Sequence, residues 1–268
     1  MAVGKCVDGN AALDNPRWHR CLDHCALARA ATVARSASNQ HAERGGHDIK
    51  PFGDILADLM ESTEIHNRIS ISSSCFQGAS WRELADAWNA LAPCRVSLVG
   101  TLLGSDPNQA RSALKAGPFS LESVVHPFMY GHQLDASDAV IAAEQEKLSQ
   151  AIEVTASLGG RSIFMATGGR GALTWEEAAK AYSTAIAPCI AKATAAGVML
   201  MIENTPPLYA HLAITHSLRD TVTLAEMSGI GVCMDLFSCW TEAGLRQSIE
   251  RVIPRCGEPD SVWGFPSC

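Results

Sequence analysis

Two carboxylates in this chain stand where apolar runs end: Glu203 closes VMLMI and Asp235 closes IGVCM. Asn204, Thr205 and two prolines follow Glu203, so its carboxyl sits where a strand leaves the core, and burying it without a partner is costly. The structural alternative for each is a carboxylate that caps the next turn, a role Asp often fills. As chemistry, two converging carboxylates suit a hard divalent cation with oxygen ligands, Mg²⁺ or Mn²⁺, and imidazole partners shift the preference toward Mn²⁺, Co²⁺ or Zn²⁺. His126 ends SVVHPF, with Pro127 fixing the chain's exit, and reads either as a contact to substrate or metal or as a hydrogen-bonded structural residue. His132, His211 and His216 have no partner at ligand spacing. Ser72, Ser73, Ser74 and Cys75 lack the G-x-S-x-G elbow, so nucleophilic catalysis is not supported. In WHRCLDHC, the residues His19, Cys21, His24 and Cys25 lack the second ligand pair of a zinc knuckle.

These residues need elements to position them. From Ile69 onward, short β-rich runs alternate with segments of helical periodicity. Six strands are expected, starting at Ile69, Arg95, Ser120, Ser162, Val198 and Ile230. Helices are expected to open on Ser80, Asp106, Ser137, Thr174 and Ser217, with Thr174 and Glu177 spaced as a capping box, and a last helix should break near Pro254. Strict βα alternation gives an open doubly wound sheet or a closed barrel. No glycine-rich phosphate loop follows the first strand, and GGRGALT after the fourth reads as a flexible connection, so the barrel is favoured. The expected fold class is α/β, a (β/α) TIM barrel, incomplete, of about six βα units over residues 66–268. Residues 1–65 read as a largely disordered leader with a short helix at 52–64. In such a barrel the C-terminal ends of the strands share one mouth, which brings Glu203 and Asp235 together.

The composition narrows the partners. A net charge of -7 argues against nucleic acid, and the absence of a long apolar run argues against a membrane span. A cytoplasmic location follows by default, with the ten cysteines reduced and mostly buried as small hydrophobes.

With SVVHPF, EKLSQAIEVTASLGG, MIENTPP and GVCMDLFSCW in this order, the chain resembles the xylose isomerase-like barrel superfamily over about Ile69 to Cys256. That resemblance implies metal ligation by Glu203 and Asp235, acid/base work by Glu203, and substrate contacts by His126, with Asn204 and Ser238 beside them. It implies a metal-dependent sugar or sugar phosphate isomerase or epimerase, moving a proton next to a carbonyl in a small sugar or hydroxy-keto acid. An inosose-type dehydratase and a noncatalytic truncated barrel are the alternatives; an apurinic endonuclease would need more histidines than this mouth holds. Many members carry His where this chain has Ser238, and the family completes its site with a strand-seven His and a strand-eight Glu. After Cys256 only GEPDSVWGFPSC remains, whereas two more βα units need roughly 50 residues or more. The sequence therefore leads us to expect a fragment, a frameshift or strands borrowed from another chain, with low stability or activity and a tendency to self-associate as a homo-oligomer.

Overall fold

The computed structural model describes residues 65, 67–76, 78–104 and 107–255. Runs rich in Ser, Ile, Val and Met form six short strands: β1 (Ser70–Ser72), β2 (Arg95–Val99), β3 (Ser120–His126), β4 (Ser162–Met165), β5 (Met199–Glu203) and β6 (Gly231–Cys233). They lie parallel in one sheet in chain order, β1 to β6. Parallel neighbours need crossovers, and helices supply them: α1 (Trp81–Leu91), α2 (Asn108–Lys115), α3 (Asp138–Ser157), α4 (Trp175–Ala195) and α5 (Leu218–Ser228). After β6 come a four-residue helix α6 (Leu236–Cys239) and then α7 (Leu245–Val252).

The expected starts hold for most helices. Ser80 with Glu83 and Thr174 with Glu177 form complete capping boxes, and Ser217 caps α5 by accepting the Asp220 N–H at 3.0 Å. Helix α2 begins at Asn108 behind Pro107, so the Asp106 start lies among residues outside the description. Helix α7 ends at Val252, before Pro254, as a ring without an N–H requires. Helix α6 had no period long enough to announce it. The helix expected at 52–64 lies outside the described residues. None of the described helices is long and apolar enough to cross a membrane.

Strand alternation sorts side chains onto two faces. Leu98, Val124, Ile163, Leu200, Ile202 and Val232 join the large core shared with the helices. On the other face, Val125, Phe164, Met201 and Cys233 form a separate apolar cluster. Below it, Ser72, Ser97, Ser123 and Ser162 fall in register across β1 to β4. The Ser123 hydroxyl donates to Ser97 at 3.0 Å, so these buried hydroxyls satisfy one another. At the foot of this face Arg95 and Glu122 form an ion pair at 2.9 Å. Gly231 is needed here, since a Cβ on it would stand 2.9 Å from the Met201 side chain and 2.8 Å from the Arg255 carbonyl. Cys189, Cys233 and Cys239 are buried, while Cys94 is exposed.

Candidate functional site

Glu203 is the last residue of β5 and pairs in register with Cys233. Cys233 belongs to the cluster on the face turned away from the helices, so Glu203 tops that cluster. Its carbonyl accepts the Thr215 hydroxyl at 2.9 Å, while its carboxyl takes no hydrogen bond from a described residue. Loss of hydration, and then the negative charge of Asp235, push that carboxyl up to about 8. The next residue, Asn204, hydrogen-bonds the Asp235 backbone, which sets Asp235 beside the end of β5.

Asp235 is held differently. It is the N-cap of α6: one carboxyl oxygen accepts the Phe237 N–H at 2.9 Å and the other accepts the Ser238 hydroxyl. Asn204 fixes its backbone from the neighbouring strand. The Asn204 amide donates to the Asp235 carbonyl at 2.9 Å and accepts the Asp235 N–H at 2.8 Å. Asn204 is fully buried, so this reciprocal pair ties the ends of β5 and β6 together. The Cys239 thiol packs against the same group and is pushed up to about 11 by burial, then by Glu242 and Asp235.

The family profile described as xylose isomerase-like TIM barrel matches residues 83–259, more than half of the sequence. The chain belongs to that family. Solved structures agree on the fold. A protein from Sinorhizobium meliloti aligns at 19% identity over 70% of each chain with a TM-score of 0.61. The 3-keto-D-glucoside 4-epimerase of E. coli aligns at 13% identity over 70% of this chain and 76% of its own, with a TM-score of 0.60. An L-ribulose 3-epimerase aligns at 19% identity over 70% and 67%, with a TM-score of 0.56. No curated protein matches the sequence.

Within this family barrel the predicted residues do not all gather. Glu203 and Asp235 come together, with Asn204 and Ser238 directed at Asp235. His126 lies elsewhere. It pairs with Met165, which pairs with Ile202, so it shares their helix-side face and stands opposite to Glu203. Its charged neighbours are Glu144 and Lys147 of α3, and burial drives its imidazole down to about 4. The expectation of a mouth-facing His126 is corrected by this strand parity: one residue of register exchanges the two faces.

A divalent cation was expected on the carboxylate pair. Among the described residues no three His, Cys, Asp or Glu side chains converge on one point, and the Asp235 oxygens are already engaged. Two carboxylates fall short of the three protein ligands of a catalytic zinc site or the oxygen shell of magnesium, so the described donors alone do not fit the ion.

Sequence reading missed Thr215, Thr167 and Glu242. Thr167 accepts the Ile214 N–H at 2.8 Å, which pins the β5–α5 loop to the end of β4. Both carboxyl oxygens of Glu242 accept the Leu218 N–H, at 2.8 and 3.0 Å, so a loop residue after β6 caps the helix before it. No local spacing signals such a contact. The GGRGALT loop is pinned, not flexible: Gly171 donates its N–H to the Gln133 side chain at 3.0 Å and Ala172 donates to Asp135 at 3.0 Å.

Proposed function

We propose that the chain is an isomerase or epimerase of small polyhydroxylated carbonyl compounds, with Glu203 moving the proton. One observation carries this reading: a carboxyl that takes no hydrogen bond among the described residues stands at the strand ends beside a second carboxylate that is locked in place. Removing a proton from carbon next to a carbonyl calls for a base whose pKa lies near the working pH. Glu203, raised by burial and by Asp235, meets that need, and once ionised it is a stronger base than a free carboxylate. Its side chain takes no hydrogen bond among the described residues, which leaves its lone pairs for a substrate. Return of the proton by Glu203 to the adjacent carbon, as the hydroxyl proton passes to the former carbonyl oxygen, gives an isomer; an epimer needs a proton delivered to the opposite face by a donor other than Glu203, such as water.

Asp235 keeps Glu203 basic and fixes the second wall of the site, while Asn204 and Ser238 act on Asp235 and not on substrate. Metal dependence, if the protein has it, draws on ligands beyond these two carboxylates, and no step here runs through an ion. Neighbouring structures named as keto-sugar and ketose epimerases support the substrate class.

The test is proton exchange. In D₂O, with a panel of ketopentoses and ketohexoses, the wild-type protein should wash deuterium into the carbon next to the carbonyl, read by proton NMR. Glu203→Gln should slow this by roughly 100-fold or more, the usual cost of losing a general base. Equal exchange in the variant, or none in the wild type, would overturn the reading.

A further inference from the structure

A general base must point at the hydrogen it removes, and a misplacement of about 1 Å costs roughly 100-fold in rate. The direction of Glu203 is set first by the backbone that carries it. The ladder to β4 stops where Ile202 pairs with Met165, one residue short of Glu203, while the ladder to β6 runs on to the pair of Glu203 with Cys233. At this half-supported residue the Thr215 hydroxyl donates to the Glu203 carbonyl at 2.9 Å. Two residues on, the Thr205 N–H donates to the Thr215 carbonyl at 2.8 Å, and Nδ1 of His216 stands 3.2 Å from the Thr205 carbonyl. Thr215 therefore grips the peptide planes on both sides of Asn204, the one that leaves Glu203 and the one that enters Thr205.

Thr215 is itself held from outside β5. The N–H of Ile214, the residue before it, donates to the Thr167 hydroxyl just past β4 at 2.8 Å. The Ile214 carbonyl accepts the indole N–H of Trp175, at the start of α4, at 3.0 Å. Thr167 in turn donates its hydroxyl to the Gly168 carbonyl at 3.1 Å. Both backbone groups of Ile214 are thus anchored on the preceding barrel unit, and Thr215 follows directly. Thr167 and Thr215 are fully buried, so neither hydroxyl trades its partner for water. Threonine suits the position, because its branched Cβ restricts χ1 and the hydroxyl is aimed with little rotamer freedom left to lose.

We infer that Thr215 is a positioning residue: through the Glu203 carbonyl it carries the placement of β4 and α4 to the base and sets the aim of the Glu203 carboxyl. This rests on the proposed function for the role of Glu203 and names the residue that serves it. The Thr215 hydroxyl is engaged by a backbone carbonyl, so its loss should act on the rate of proton removal and leave substrate affinity alone.

The experiment is the same deuterium wash-in, with kcat and KM measured on the full chain for a sugar that exchanges in the wild type. Thr215→Val keeps the shape of the side chain and removes the hydroxyl; it should lower kcat by about tenfold or more, with KM within about twofold of the wild type. Thr215→Ser keeps the hydroxyl and should recover kcat to within about threefold of the wild type. Circular dichroism checks that each variant folds. Should Thr215→Val not fold, Thr167→Val takes its place: it releases the Ile214 N–H and should give the same fall in kcat at constant KM. A folded valine variant with the wild-type kcat, a rise in KM in place of the fall in kcat, or a serine variant as slow as the valine one overturns the inference. No exchange in the wild type, or equal exchange in Glu203→Gln, overturns the proposed function and this inference with it. Slow exchange in Glu203→Gln beside normal exchange in Thr215→Val overturns the inference alone.

Discussion

Glu203, half-buried, and His126, buried, are titratable groups at strand ends, and they tilt stability in opposite directions with pH. Glu203 has a folded value near 8, above its ordinary 4.5, so the folded state holds the extra proton and stability falls as pH rises from about 4.5 to 8. His126 has a folded value near 4, below its ordinary 6.5, so the unfolded state binds more protons and stability rises from about pH 4 to 6.5. Below pH 6.5 the two slopes oppose each other; between 6.5 and 8 only that of Glu203 remains. Denaturant midpoints measured with chelator present should therefore drop over pH 6.5 to 8 in the wild type and stay level in Glu203→Gln. His126→Leu should lose the low-pH rise and keep proton exchange, because this side chain faces α3. A His126→Leu protein that folds but no longer exchanges would put the imidazole back at the substrate. The two carboxylates were legible in the sequence because each ends an apolar run before a turn. The direction of His126 was not, because parity depends on where a strand begins to pair, and a register shift in the β2–β3 pairing, between Val96 and Ser97, separates sequence counting from sheet position.

Elements meet at this site through side chains that reach across loops. The Asn204 amide makes two hydrogen bonds to the Asp235 backbone from a fully buried position. Asn204→Ala leaves an N–H and a carbonyl unsatisfied between β5 and β6, which should cost about 2 kcal/mol in chemical denaturation. Proton exchange should fall with it, as Asp235 drifts from Glu203; exchange that stays at the wild-type rate would show that Asp235 needs no such support. Strands, helix starts and the Thr174 box could be read from the sequence, since period and capping act within a few residues. The contacts of Thr167 with Ile214 and of Glu242 with Leu218 could not, being set by the packing of distant loops.

For the whole molecule, the face that carries the site rests on a small apolar cluster of Phe164, Met201 and Cys233, with Val125 packed against it. It is much smaller than the core on the helix side, and its one aromatic ring is its largest member. Phe164→Ala should cost about 3 to 5 kcal/mol in equilibrium unfolding and lower the floor beneath Glu203. A loss under about 1 kcal/mol would mean the cluster collapses around the gap. The bond from Leu218 to Glu242 has a further consequence for assembly. The first turn of α5 closes locally through Ser217, but its first amide finds its acceptor 24 residues downstream, so that N–H stays open to water until the segment after β6 has arrived. Hydrogen exchange at that one amide then reports when the last segments of the site have locked into place.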